Sequence, residues 1–213
     1  LKAAPGRVAV DRIATALARL REAALPDVVA LLESPDEGTT RVAADVLGQM
    51  GMVASAALRR SLTHRKPSVR TLALNGLARI GDVSVVPDIV ELLQDTDTGV
   101  VGAAIRALAD LQDPRGIRPI AGCVGSDSPE IRDALSYAVP RFGSSIAPPL
   151  ADMITDPSEA VREHAARALV MLEKGALQAL ERKLRSEDTA MRAAAARIMG
   201  ELSISGVIDP LVG

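Results

Sequence analysis

Aromatic side chains are almost absent from this 213-residue chain: Tyr137 and Phe142 are the only two, and there is no tryptophan. A chain of this length normally folds into one or two globular domains whose cores take several rings. Their scarcity argues against functions built on aromatic surfaces, such as base-stacking platforms for single-stranded nucleic acid or cages for organic cations. Cysteine is nearly missing too. Cys123 stands alone, which excludes an intramolecular disulfide framework and a thiolate metal cluster. The two histidines, His64 and His164, lie far apart and form no metal-binding pair. An excess of charge of one sign is also lacking: 25 basic residues face 27 acidic ones, so no global bias toward nucleic acid or anionic membrane exists. No apolar run approaches the roughly 18 residues that span a bilayer. The opening segment mixes charges into every turn, unlike a signal peptide. It starts with Leu, which reads as a fragment of a larger protein or a processed chain, in a soluble, reducing, cytoplasmic setting.

What is present is aliphatic. Hydrophobic residues make up 48% of the chain, mainly Ala, Leu, Val and Ile, which argues against disorder. They recur with a period of 30 or 31 residues. Equivalent positions fall at Ala9, Thr39, Val69, Val100, Ile131, Val161 and Met191. Four residues on stand Ile13, Ala43, Ala73, Ala104, Leu135, Ala165 and Ala195; eight on, Leu17, Leu47, Leu77, Leu108, Val139, Leu169 and Met199. Eleven on come Leu20, Met50, Ile80, Leu111, Phe142, Leu172 and Leu202. These offsets trace one stripe of a 3.6-residue helix. A column of mostly small residues, with Gly76, Ala107, Ala138 and Ala168 among them, lets helices approach closely.

A second helix is seen by counting back from each start. Seven residues back lie Leu32, Leu62, Leu93, Val124, Ile154 and Leu184; eleven back, Val28, Leu58, Ile89, Ile120, Leu150 and Leu180. Breakers such as Gly81-Asp82, Gln112-Asp113-Pro114 and Gly143-Ser144 separate the two helices. Segments such as Ser128-Pro129-Glu130 open the next repeat, with Ser suited to accept from the helix amides and Pro to the first turn. One helix pair of this size cannot bury its stripe alone, so neighbours must stack. The expected fold is all-α: a right-handed α-solenoid of about seven helical hairpins forming one domain over residues 1–213. No broad core centre exists for rings to fill.

The stretch from Ser68 to Asp97 carries Val69-Arg70 at the opening of its first helix, Gly81-Asp82 at the turn, Pro87 at the second helix and Leu92-Leu93 before Asp95. On these residues the chain resembles HEAT-repeat proteins of the short bacterial type, also found in phycobilisome lyase-like proteins. The resemblance implies a non-enzymatic scaffold that binds a protein partner on the concave, second-helix surface. A lyase-like role in attaching or chaperoning a tetrapyrrole is an alternative. A DNA-binding, alkylation-repeat role is a second, disfavoured by the missing aromatics and basic groove. The resemblance also implies a polar ladder of exit acids and opening arginines. Asp156 and Arg162 supply both partners, whereas Arg70, Arg132 and Arg192 face His64, Ser126 and Ser186 where an acid is wanted. Arg70, Arg132, Asp156, Arg162 and Arg192 are thus assigned inter-repeat structural roles.

Candidate partner-binding residues follow from the second-helix columns. Nine residues before each start stand Arg60, Glu91, Asp152 and Arg182, with Arg118 and Gln178 nearby. The alternating signs suit a protein surface better than a polyanion. The basic cluster Arg59, Arg60, His64, Arg65 and Lys66 is read as cations favouring a helix carbonyl end. His164 falls in a column otherwise filled by Val42, Leu72, Ala103, Ala134 and Ala194, and is read as a packed structural histidine. Cys123 is read as a half-buried small hydrophobe. The stretch from Gly116 to Pro149 holds both aromatics, the cysteine and a helix-interior Pro140 expected to distort its helix. Arg118, Tyr137 and Arg141 are expected to form a binding notch there. No catalytic set, metal site or cofactor fingerprint is expected.

Overall fold

The computed structural model describes residues 20, 22–34 and 36–204. Residues 9–19 of the first helix of the repeat starting near position 9 lie outside the described residues. The chain groups into two compact units, residues 1–85 and 86–213. The first holds helical backbone over 22–30, then α1 (Glu37–Met50), α2 (Met52–Ser61) and α3 (Pro67–Ile80), with α3 packed against both α1 and α2. The second holds α4 (Val86–Glu91), α5 (Thr98–Leu111), α6 (Ile117–Gly122), α7 (Pro129–Phe142), α8 (Ala147–Asp152), α9 (Glu159–Met171), α10 (Leu177–Leu184) and α11 (Thr189–Ile204). There α5, α7, α9 and α11 pack in succession as first helices, and α6, α8 and α10 as second helices. Among the described residues there is no strand. The fold is an all-α solenoid array.

The repeat columns form the core. At the fourth offset Ala43, Ala73, Ala104, Leu135, Ala165 and Ala195 are all buried, as are Leu47, Leu77, Leu108, Val139 and Leu169 at the eighth. From the second helices Leu58, Ile89, Ile120, Leu150 and Leu180 are sealed from solvent. The small column works as expected at Gly76, where an added Cβ would stand 2.9 Å from a Leu58 methyl. Among the residues that depart from their columns, Leu20 is 67% exposed, Val42 62% and Val46 37%. Pro140 does not break α7, which runs on to Phe142. The carbonyl that Pro140 deprives of a donor belongs to Ser136, an exposed residue.

Each first helix from α1 to α9 closes into a residue with positive φ: Gly51 (71°), Gly81 (75°), Gln112 (54°), Gly143 (54°) and Glu173 (50°). This left-handed stop reverses the chain into the second helix. The turn acids that follow are well held. Asp82 is buried and accepts from the Ser55 hydroxyl and the Ser84 amide, bonds that lower its carboxyl below the ordinary range. Asp113 accepts from the Arg115 side chain and amide, which bring its carboxyl down to about 2.

The connection between repeats follows a different rule from the expected ladder. The residue at each exit, whether Ser34, His64, Asp95, Ser126, Asp156 or Ser186, accepts from the backbone N–H two residues on, at 2.9–3.3 Å. This column therefore needs an acceptor, not an acid. The opening arginines turn to backbone carbonyls of the same connection. Arg70 donates to His64 O (2.7 Å), Arg132 to Asp127 O (3.0 Å), Arg162 to Asp156 O (2.8 Å) and Arg192 to Ser186 O (2.9 Å). Asp156 and Arg162 thus meet through the main chain, because the Asp156 carboxylate is spent on the Ser158 amide. The helix caps also differ from expectation. Asp36 and Asp97 cap α1 and α5 through their carboxylates, while Ser128 and Ser158 make no cap bond. The Ser128 hydroxyl is turned to Glu130 instead.

The left-handed stop gives a paired prediction. Glu173→Gly is expected to raise stability by about 1 kcal/mol, since a side chain at positive φ costs about 1–2 kcal/mol. Gly81→Ala is expected to lower it by a similar amount, purely through backbone strain, because nothing lies within 4 Å of the added methyl. Thermal melts of both variants check this, with midpoints moving in opposite directions.

Candidate functional site

The predicted second-helix residues sit where a partner can reach them. Arg60 on α2, Glu91 on α4, Arg118 on α6, Asp152 on α8, and Gln178 and Arg182 on α10 are all exposed. Their commitments differ. Asp152 is paired with Lys183 one repeat on. Arg182 donates to the Gln178 carbonyl of its own helix at 3.2 Å. Among the described residues, the side chains of Arg60, Glu91 and Arg118 have no hydrogen bond or ion pair. The rest of the basic cluster is partly engaged. His64 Nε2 lies 2.6 Å from Glu33 Oε1, and Lys66 Nζ donates to the Glu33 carbonyl at 3.3 Å. Because His64 Nδ1 accepts the Lys66 amide, the ring proton belongs on Nε2, which donates to Glu33.

Charges on the first helices are spent differently. Asp45 pairs with Arg79 at 3.2 Å between α1 and α3. Between α5 and α7, Arg106 pairs with Asp133, and Asp110 receives both Arg141 (3.1 Å) and the Tyr137 hydroxyl (2.6 Å). The Arg141 guanidinium lies 4.5 Å above the Tyr137 ring, a cation–π contact. The expected notch is therefore corrected. Tyr137 and Arg141 meet, but over Asp110 on a first helix, and Arg118 on α6 shares no hydrogen bond or ion pair with either. Asp110 was missed by reading single repeats. Its separation from Arg141 is one repeat period, and that was the available signal.

Grooves run between successive first helices. One of about 310 Å³ between α7 and α9 is lined by Leu135, Ser136, Val139, His164, Arg167, Ala168 and Met171, and by Val124 and Arg132. His164 is half-buried, and its Nδ1 is buried without a hydrogen-bond partner. An unsatisfied buried polar atom costs about 1–3 kcal/mol. Cys123 is half-buried, its thiol set against the Pro119 carbonyl, and burial pushes its pKa up. Among the described residues no group of three or more His, Cys, Asp or Glu side chains could hold a metal ion, and no helix is long and apolar enough to cross a membrane.

Comparison with known proteins places this geometry. The HEAT-repeat family matches residues 55–139 and 147–213. No curated protein matches the chain. Among solved structures, an engineered protein is 22% identical with a TM-score of 0.50, covering 84% of this chain and 96% of its own. The complex of CpcE and CpcF of phycocyanin lyase from Nostoc sp. PCC7120 is also 22% identical, with a TM-score of 0.51 over 82% of this chain and 75% of that one. At such identity the likeness is one of fold.

Tyr137 is the single tyrosine and there is no tryptophan, so its ionisation can be read directly by ultraviolet absorbance. The hydrogen bond to Asp110 foremost, then burial, raises its pKa above the ordinary value of 10.0. The neutral phenol is the form that donates to Asp110, so this contact stabilises the fold below pH ~10 and is lost as pH rises through the folded-state value. Asp110→Asn is expected to bring the titration midpoint down toward 10.0. A midpoint unchanged by that substitution would show that Asp110 does not hold the phenol.

Proposed function

Since the chain belongs to the HEAT-repeat family, we propose that it is a non-enzymatic scaffold that binds a protein partner along the exposed face of its second helices. The observation that carries this reading is the unequal use of charge on the two layers. First-helix charges at Asp45, Arg79, Arg106, Asp133, Asp110 and Arg141 are consumed in pairs that tie one repeat to the next. On the second helices, Arg60, Glu91 and Arg118 are exposed and, among the described residues, uncommitted. An exposed charge that holds nothing within its own fold is available to a partner, where it steers encounter and fixes register.

The mixed signs define the partner's chemistry. A polyanion would be repelled at Glu91 and held at Arg118, so nucleic acid is a poor match. A folded protein surface of mixed charge, or an extended segment with acids spaced to meet Arg118 and Arg182, fits both. The likeness to a phycocyanin lyase complex is one of fold and transfers no tetrapyrrole chemistry to this chain.

Affinity capture tests the reading by comparison. The chain is expected to retain a protein partner that the triple reversal Arg60→Glu, Glu91→Arg, Arg182→Glu loses by at least about tenfold. A control reversal, Arg167→Glu on α9, is expected to retain it. Equal recovery by the wild-type chain and the triple variant would remove the second-helix face as the binding surface.

A further inference from the structure

Charge is spread unevenly over the repeats, and one repeat stands out. Residues 39–68 hold five basic residues, Arg41, Arg59, Arg60, Arg65 and Lys66, against the single acid Asp45, His64 apart. The repeats on either side in sequence are acidic: residues 9–38 hold three basic against six acidic, and residues 69–99 two against five. The excess is therefore an island of one repeat in a chain close to neutral. Four of its five cations fall within eight residues, in the last turn of α2 and the connection to α3.

Cations at a helix C-terminus ordinarily serve the helix by meeting its last carbonyls. Here those carbonyls have other donors. Arg59 O accepts from the Leu62 amide and Ser61 O from the His64 amide, both at 3.2 Å, and Arg60 O accepts from the Thr63 hydroxyl at 3.1 Å. In the connection, His64 O and Arg65 O accept from Arg70 at 2.7 and 3.3 Å. Three acids of the same unit are occupied as well. Glu33 faces His64, Asp45 pairs with Arg79, and Asp82 is buried on Ser55 and Ser84. Arg60 and Arg65 are exposed, and among the described residues their side chains have no hydrogen bond or ion pair. Lys66 is half-buried, with Nζ on the Glu33 carbonyl at 3.3 Å. The helix dipole still favours these cations, but their donors are left for a ligand.

A guanidinium fork matches a carboxylate through two parallel bonds. The extent of the island selects the kind of anion. A nucleic acid needs cations along a continuous track, and both sequence neighbours of this repeat carry an acidic excess. A short acidic stretch of polypeptide needs only one repeat.

We propose that the end of α2 and the connection after it, through Arg60 and Arg65 with Lys66 beside them, anchor an acidic segment of the protein partner. The assignment rests on the scaffold reading above and adds the partner's chemistry, Asp or Glu side chains that meet this repeat.

Fluorescein-labelled octaglutamate tests it by anisotropy with the full chain at low ionic strength, where exposed charges are least screened. Saturable binding is expected, with the neutral octaglutamine peptide at least about tenfold weaker. The double variant Arg60→Gln, Arg65→Gln is expected to bind octaglutamate at least about tenfold more weakly. A control pair, Arg167→Gln with Lys174→Gln, removes the same charge from exposed positions of the second unit and is expected to keep the affinity within about twofold. All four side chains are exposed, and thermal melts matching the wild type show that the variants fold. No binding of octaglutamate, equal loss in the two double variants, or tighter binding of an oligonucleotide of equal charge would each overturn the assignment. The assay contains no partner, so the anchor can fail here while affinity capture still locates a partner on the second helices, and the two failures are distinguishable.

Discussion

A helix pair of about 30 residues cannot bury its own apolar stripe, and everything else in this protein follows from that constraint. The stripe is covered by the neighbouring pair, so successive pairs must present the same face at the same height. That demand sets the 30- or 31-residue period, the alanine column at the fourth offset and the larger residues at the eighth. It also explains the two-ring aromatic content. Layers one helix pair thick are filled by Ala, Leu, Val and Ile, and Phe142 is simply the largest member of its column. The backbone is held to the same register by repeated devices: a left-handed stop after the first helices α1, α3, α5, α7 and α9, an acceptor at the described exits, and arginines latched onto carbonyls.

How much was legible in the sequence depended on what each column requires. Burial requires size and hydrophobicity, which residue identity states directly, so the core columns and the breakers at Gly81, Gln112 and Gly143 could be read. The exit column requires only an accepting atom. Ser, Asp and His all supply one, so His64, Ser126 and Ser186 look like gaps in an acidic ladder although each makes the same bond as Asp156. The arginine partners were illegible for a related reason, because backbone carbonyls leave no trace in side-chain identity. The expected notch failed on layer assignment: Arg118 belongs to a second helix, Tyr137 and Arg141 to a first. Pairs such as Asp110 with Arg141 become visible only when positions are compared one period apart.

The two helix layers divide the work. On the first helices Asp45, Arg79, Arg106, Asp133, Asp110 and Arg141 are spent on neighbouring repeats, through pairs partly exposed to solvent and individually worth little. Their value lies in fixing which residue meets which, while apolar burial supplies the stability. On the second helices Asp152 is paired with Lys183, while Arg60, Glu91 and Arg118 are exposed and, among the described residues, unpaired.

The central claim, that each repeat is stabilised by its neighbour rather than by itself, is tested most directly by native-state hydrogen exchange on Leu108→Ala. Leu108 is buried in α5, and its truncation should cost about 2–5 kcal/mol. The account predicts that amide protection falls together in α5 and in α7, the first helix packed against it. A loss confined to α5, with α7 keeping its wild-type protection, would contradict it.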